Sequence, residues 1–544
     1  MKFKGIFALC LAGFSFSAFA QTHVEGEEYY KADQFDNAKE LLLRSLKNSG
    51  TDKAVSDYYL GMIALRQNNN SEAKKYFEEG IQSNPEYGYN YVGLGTLSLL
   101  SGDTKGAANY FKEGESHAKK DPSMQIAIAR AYDMADPVAN EKEITKRVEK
   151  ARKMDIKNTD VYIFEGDQAA RAKNWGDAGA KYEMAANYNN TASDAYVKYA
   201  NLFTMVNPPY AIKMLNQLLS VNPESALGQR ELANAYYNAK DYKNAANEYG
   251  KYVKNPSHFK QDENRYAFLL FYGGDYKKGY DYASQLLAAD PANFTARRYQ
   301  FMNAAQLPEM KEQLLGMAET LFKEHKANPS ANKFAAIDYT LIADELAKDK
   351  RADEAIAVLQ EAIAEMPDNA AFNKDLAMKY VDLNNLTKAA ESYRDYVNKT
   401  EEPGYNDFNQ QAVFSFYAAV ENKDKPEVAK AFFDEVLQNA DKMEKILLDN
   451  YKPKMLKGDV AKQTAATEDD AAVAAQPMYE EAVALLEAAP DPSKYTRDAK
   501  TLYMYLGNCY MHKNDVAKAK EYYNKFLALD PQNEAVRKYV DGLK

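Results

Sequence analysis

Five histidines, His23, His117, His258, His325 and His512, are the first places to look for chemistry, and no two lie within helical reach of one another along the chain. HExxH, CxxC and a carboxylate-rich calcium loop are all absent, so linear spacing indicates no metal ligands. The phosphate-binding pattern GxxxxGK[ST] fails because Gly250-Lys251 is followed by Tyr252. Ser71-Glu72-Ala73-Lys74 matches SxxK, but the companion S-D-N and K-T-G are missing, and the motif reads as a helix cap. With 79 acidic residues, carboxylate pairs are inevitable and carry no information. The sequence thus predicts no catalytic residue, no cofactor and no metal, and a protein that is not an enzyme.

The 42 tyrosines could stack on sugars or bases, but most recur where helices pack, and a ring buries a large area there. The elements that position them are legible near the C-terminus. Leu506-Gly507, Tyr510, Ala519, Tyr523, Phe526 and Pro531 read as a helix, a turn and a second helix. Helices packed 8–10 Å apart need a residue without bulk where they cross, so Gly507 is expected to face Ala519. Asn514-Asp515 supplies the turn and an N-cap, and Pro531 ends the second helix.

The pattern returns about every 34 residues, a period that belongs to helical repeats. Leu60-Gly61, Ala73, Phe77 and Pro85 form one copy, and Leu94-Gly95, Ala107 and Phe111 another. Gly166, Ala178 and Tyr182 follow, with the lone Trp175 expected in the turn as a wedge. Further copies run through Ala233 and Ala245, Ala267 and Gly279, and Ala377 and Ala389. One hairpin leaves apolar faces bare, so copies must stack.

Lys2 and Lys4, an apolar run from Gly5 to Phe16, and Ala18-Phe19-Ala20 read as a secretory signal peptide over 1–20, cleaved before Gln21. No later stretch approaches the length of a membrane span. Losing Lys2 and Lys4 takes the formal charge from −10 to −12, which argues against nucleic acid as a partner. Cys509 is then the only thiol and is expected to be small and buried. The expected organisation is a solenoid of about twelve hairpins over 21–456, a flexible acidic, Ala-rich linker or loop over 457–476, and a C-terminal repeat with a capping helix over 477–544.

These small and large positions over 34 residues resemble the tetratricopeptide repeat. The resemblance implies an all-α, helical-hairpin solenoid, a right-handed superhelix whose concave wall is built mainly from the first helix of each hairpin and binds protein or peptide segments. Tyr58, Tyr89, Tyr237, Phe268 and Phe271 fall on that wall. In the family's peptide-binding members, basic and amide side chains on successive first helices clamp a terminal carboxylate, and Arg230, Asn234, Asn264, Arg265 and Arg298 lie at or beside such positions. The competing reading pairs them with nearby acids. The leader resembles those of exported Bacteroidota-type proteins, so the expected function is a non-catalytic periplasmic scaffold, in an envelope or outer-membrane assembly. The alternative is an outer-membrane carbohydrate-capture protein like the SusD family, against which count the single Trp and the missing lipobox.

Overall fold

Several hairpins share one local argument. A first helix ends in a turn residue of positive φ, as at Asn68, Gly102, Lys240, Asn384 and Asn514. An Asp or Asn two or fewer places on then caps the second helix: Asn69 accepts from the Glu72 amide, Asp103 from Gly106, Asp241 from Asn244 and Asp515 from Lys518. In this computed structural model, which describes residues 23–543, the outcome is all-α, with no strand among the described residues. The expected signal peptide over 1–20 lies outside them.

The chain divides between Leu307 and Pro308 into two compact units, a boundary inside what reads from sequence as one continuous solenoid over 21–456. Unit one holds the hairpins α1 (His23–Lys31) with α2 (Phe35–Ser45), α3 (Lys53–Arg66) with α4 (Asn70–Ser83), α5 (Tyr89–Leu100) with α6 (Thr104–His117), and α7 (Pro122–Ala135) with α8 (Glu141–Met154). It continues through α9 (Thr159–Arg171) with α10 (Trp175–Tyr188), α11 (Ser193–Phe203) with α12 (Pro208–Val221), and α13 (Ala226–Asn238) with α14 (Tyr242–Tyr252). It ends with α15 (Lys260–Tyr272), α16 (Tyr276–Ala289) and α17 (Phe294–Ala304).

Unit two comprises α18 (Lys311–Ala327), α19 (Ala336–Lys348), α20 (Ala352–Glu365), α21 (Ala371–Asp382), α22 (Leu386–Lys399), α23 (Tyr405–Glu421) and α24 (Pro426–Ile446). Beyond these come α25 (Lys452–Gln463), α26 (Glu468–Ala474), α27 (Gln476–Glu487), α28 (Thr496–His512), α29 (Val516–Leu529) and α30 (Glu534–Gly542).

The small residues do their packing differently from the expected Gly507–Ala519 pairing. A Cβ on Gly507 would lie 2.5 Å from the Tyr523 ring, and one on Gly61, Gly95 or Gly166 would lie 2.4 to 2.5 Å from Phe77, Phe111 or Tyr182. In each case the ring belongs to a residue sixteen places on, so the glycine seats an aromatic plate against the helix. Phe77 is held from both sides, since Gly93 would also meet it at 2.3 Å. Cys509 is fully buried, and burial raises its thiol pKa.

Two local expectations change. Trp175 opens α10 rather than occupying a turn, and it is 57% exposed, so it wedges nothing. Residues 457–476, expected as a linker or loop, are helical over most of their length in α25 and α26. Lacking aromatic residues, this stretch uses those of its neighbours. Tyr479 packs against Gly458, and the Tyr505 hydroxyl donates to the Ala471 carbonyl (2.8 Å) and accepts from the Ala475 amide (3.1 Å).

Candidate functional site

The first helices of unit one face inward, and their wall comes round until α1 packs against α11 and α13. The seam joins residues 165 to 230 apart in sequence. Ser193 and Ser225 donate to Glu28 (2.9 and 3.3 Å), Gln34 donates to Glu231 (2.7 Å), and Arg44 reaches the His258 carbonyl (3.2 Å). Lys198 bonds both Asp33 and Asp167, and Tyr29 meets Phe259 edge to face at 5.4 Å. Burial, despite the serine hydrogen bonds, raises the Glu28 carboxyl pKa.

Closing the wall encloses a cavity of about 290 Å³. Tyr58 and Tyr89, both placed on the wall from sequence, line it, and Tyr30, Tyr59 and Tyr87 join them. These rings form one cluster: Tyr30 lies 4.9 Å from Tyr59, Tyr59 5.0 Å from Tyr58, Tyr58 5.4 Å from Tyr89, and Tyr87 stacks on Tyr89 at 5.3 Å. Tyr59 donates to Glu27 (2.9 Å) and Tyr89 to Asp121 (2.6 Å). Burial raises the pKa of Tyr58 and Tyr59, so both stay protonated at physiological pH.

The charges around the rings are mostly paired. Lys31 bonds Glu27 (2.7 Å); burial opposes its charge, but Asp160, Glu27 and Asp194 outweigh burial and raise its pKa. Arg130 bonds Asp167 (2.9 Å) and sits over Phe164, and Arg66 lies 4.5 Å over Phe35. Asp160, at the start of α9, borders the cavity with no hydrogen bond or ion pair among the described residues. Five lining carboxylates face three lining cations, so the space favours a positive group set against aromatic faces.

Of the residues read as a carboxylate clamp, Arg230, Asn234 and Asn264 have hydrogen-bond partners within the chain. Arg230 bonds Asp262 (2.8 Å) and Gln34 (3.2 Å), and Asn234 bonds Glu231 (3.3 Å), because α1 docks on α13 and engages that stretch of wall. Asn264 accepts from Asn293 (3.2 Å). A second group does come together: Arg265 lies 5.3 Å over Tyr237, Tyr237 packs on Phe268 (6.2 Å), and Phe268 on Tyr299 (5.8 Å), over which Arg298 sits at 5.6 Å. Phe271 joins through Tyr272, whose ring lies 5.2 Å from it and 4.6 Å from Phe268. This aromatic face, half-buried at Tyr237 and Phe268 and exposed at Tyr272, is a second contact surface of unit one. The enclosure formed by α1 left no local signal, since its partners are remote in sequence.

Tetratricopeptide-repeat family models match residues 58–123 and 207–258, residues 346–405, and residues 501–533. No curated protein matches the chain. Among solved structures, the C-terminal part of a TPR repeat-containing protein from Cytophaga hutchinsonii is similar at 18% identity, covering 52% of this chain and 99% of that one, with a TM-score of 0.41. Yeast Tom70 is similar at 14% identity over 96% of this chain and 98% of its own, with a TM-score of 0.33. The P58(IPK) TPR domain is similar at 16% identity over 76% and 98%, with a TM-score of 0.27. No described helix is long and apolar enough to cross a membrane.

Proposed function

We propose that the chain, parts of which match tetratricopeptide-repeat family models, is a non-catalytic scaffold that holds protein segments, taking a lysine or arginine side chain of the partner into the tyrosine-lined cavity of unit one. The observation that carries this reading is the juxtaposition of Tyr58, Tyr87 and Tyr89 with the Asp160 carboxylate, which makes no hydrogen bond or close ion pair among the described residues although its charge acts on Lys31. Ring faces attract a cation electrostatically, and a half-buried carboxylate beside them fixes its position. The aromatic face from Tyr237 to Arg298 supplies a second contact for the same partner.

The leader-like residues Lys2 to Ala20 support a periplasmic setting, and an acidic chain with no described membrane span fits a scaffold within an envelope or outer-membrane assembly. Crosslinking in the native envelope tests the whole reading. The expected result is a defined protein partner, retained by the wild-type chain and lost or weakened about tenfold by Asp160→Asn or Tyr58→Ala, in keeping with a cation–π contact of 1–2 kcal/mol. Glycans bound on an array with no protein crosslinked would instead establish carbohydrate capture.

A further inference from the structure

His325, near the end of α18, is fully buried, yet one edge of its ring faces acids. Nδ1 lies 2.8 Å from the Asn332 carbonyl, which can only accept, so Nδ1 carries a proton and Nε2 is the nitrogen turned the other way. Nε2 stands 2.9 Å from the Tyr339 hydroxyl, 3.2 Å from Glu365 Oε1 and 4.0 Å from Glu361 Oε1. Phe334 stacks flat on the imidazole at 4.1 Å, and Tyr339 meets it edge-on at 5.6 Å, so the ring cannot turn away. Glu361 and Glu365 are four apart on α20 and share a face. Lys326 takes the other oxygen of Glu361 at 2.7 Å, which leaves Oε1 toward the histidine.

We propose that His325 Nε2 and the carboxylates of Glu361 and Glu365 form a binding site for one first-row divalent cation of the zinc class. Their ligand atoms lie within 4.8 Å of one another. Metal–ligand distances of about 2.0–2.2 Å put the donors of a tetrahedral site roughly 3.3–3.5 Å apart, so a small rotation of Glu361 completes it. One imidazole and two carboxylates leave a fourth position open, and the imidazole selects against magnesium and calcium. The proton on Nδ1, donated to a backbone carbonyl, is the arrangement that orients a metal-bound histidine. Glu365 is exposed and Glu361 lines a groove beside Lys326, so an ion has a path from solvent. The bound ion would pin α18 to α20 across α19.

The test uses the full chain without a metal-binding tag, stripped with chelator and titrated with zinc by calorimetry and with cobalt by visible absorption. The expected result is about one ion per chain, cobalt ligand-field bands, and a zinc-dependent rise in Tm. Glu361→Gln with Glu365→Gln leaves the buried ring stack in place and should weaken zinc by about 100-fold or more and abolish the cobalt bands. A wild-type chain that fails to bind zinc, or a double variant that binds it equally well, would leave a histidine–glutamate ion pair alone and overturn the site. His325→Asn serves as the second variant and must also lose the cobalt bands.

Discussion

Glu115 shows how a single side chain in this stack acquires its role. Its Oε1 receives Lys150 (2.6 Å), Gln125 (2.8 Å) and Arg147 (2.8 Å), tying α6 to α7 and α8. Burial alone would raise its pKa, but the hydrogen bonds from Lys150, Gln125 and Arg147 outweigh it and bring the carboxyl to about 2 from an ordinary 4.5. A depressed folded pKa means that the unfolded chain binds the proton more tightly, so the contribution is fully present above pH 4.5 and lost as pH falls toward about 2. Glu115→Gln is therefore expected to lower stability at neutral pH, with the gap from wild type closing across that window. Denaturant melts at a series of pH values check it, and a gap independent of pH would refute the assignment. The glycines tell a related story: Gly61 and Gly95 were readable as small positions, but which ring each one seats depends on three dimensions.

At the level of elements, the hairpins were legible because their signals are local. Turn residues of positive φ at Asn68, Gly102, Lys240 and Asn384 and the Asx caps that follow recur with the period of the small residues. Residues 457–476 were misread as loop for the complementary reason. Their own composition cannot bury surface, and the rings that hold them, Tyr479 and Tyr505, come from later helices. Tyr505→Phe removes both hydroxyl contacts with α26 while keeping the ring. Amide exchange over 468–475 should then rise about thirtyfold, as two hydrogen bonds at about 1 kcal/mol each imply, with α28 unchanged. Unaltered exchange would show that the hydroxyl anchors nothing.

For the molecule as a whole, the decisive contacts were out of reach of pattern reading. The wall tyrosines Tyr58 and Tyr89 could be placed from the repeat, but the cavity they line exists because α1 meets α11 and α13. The same docking engages Arg230, one of the expected clamp residues, with Gln34. His325 and Glu365, 40 residues apart, escaped for the same reason. Phe259, fully buried against Tyr29, is the apolar centre of the seam. Phe259→Ala should cost about 3–5 kcal/mol locally. Exchange protection of α1 and α2 is expected to fall while that of α7 to α10 persists, and uniform loss across unit one would mean that the seam is not a separable contact.

The docking of α1 also orders events during synthesis. The hairpin of α1 and α2 cannot take its seat until α11 and α13 exist, well over a hundred residues later, so its tyrosine-bearing face must wait in water through the interval. Ring closure thus becomes a late step in the folding of unit one, and a chain arrested before α11 and α13 would show its incompleteness as an unseated α1.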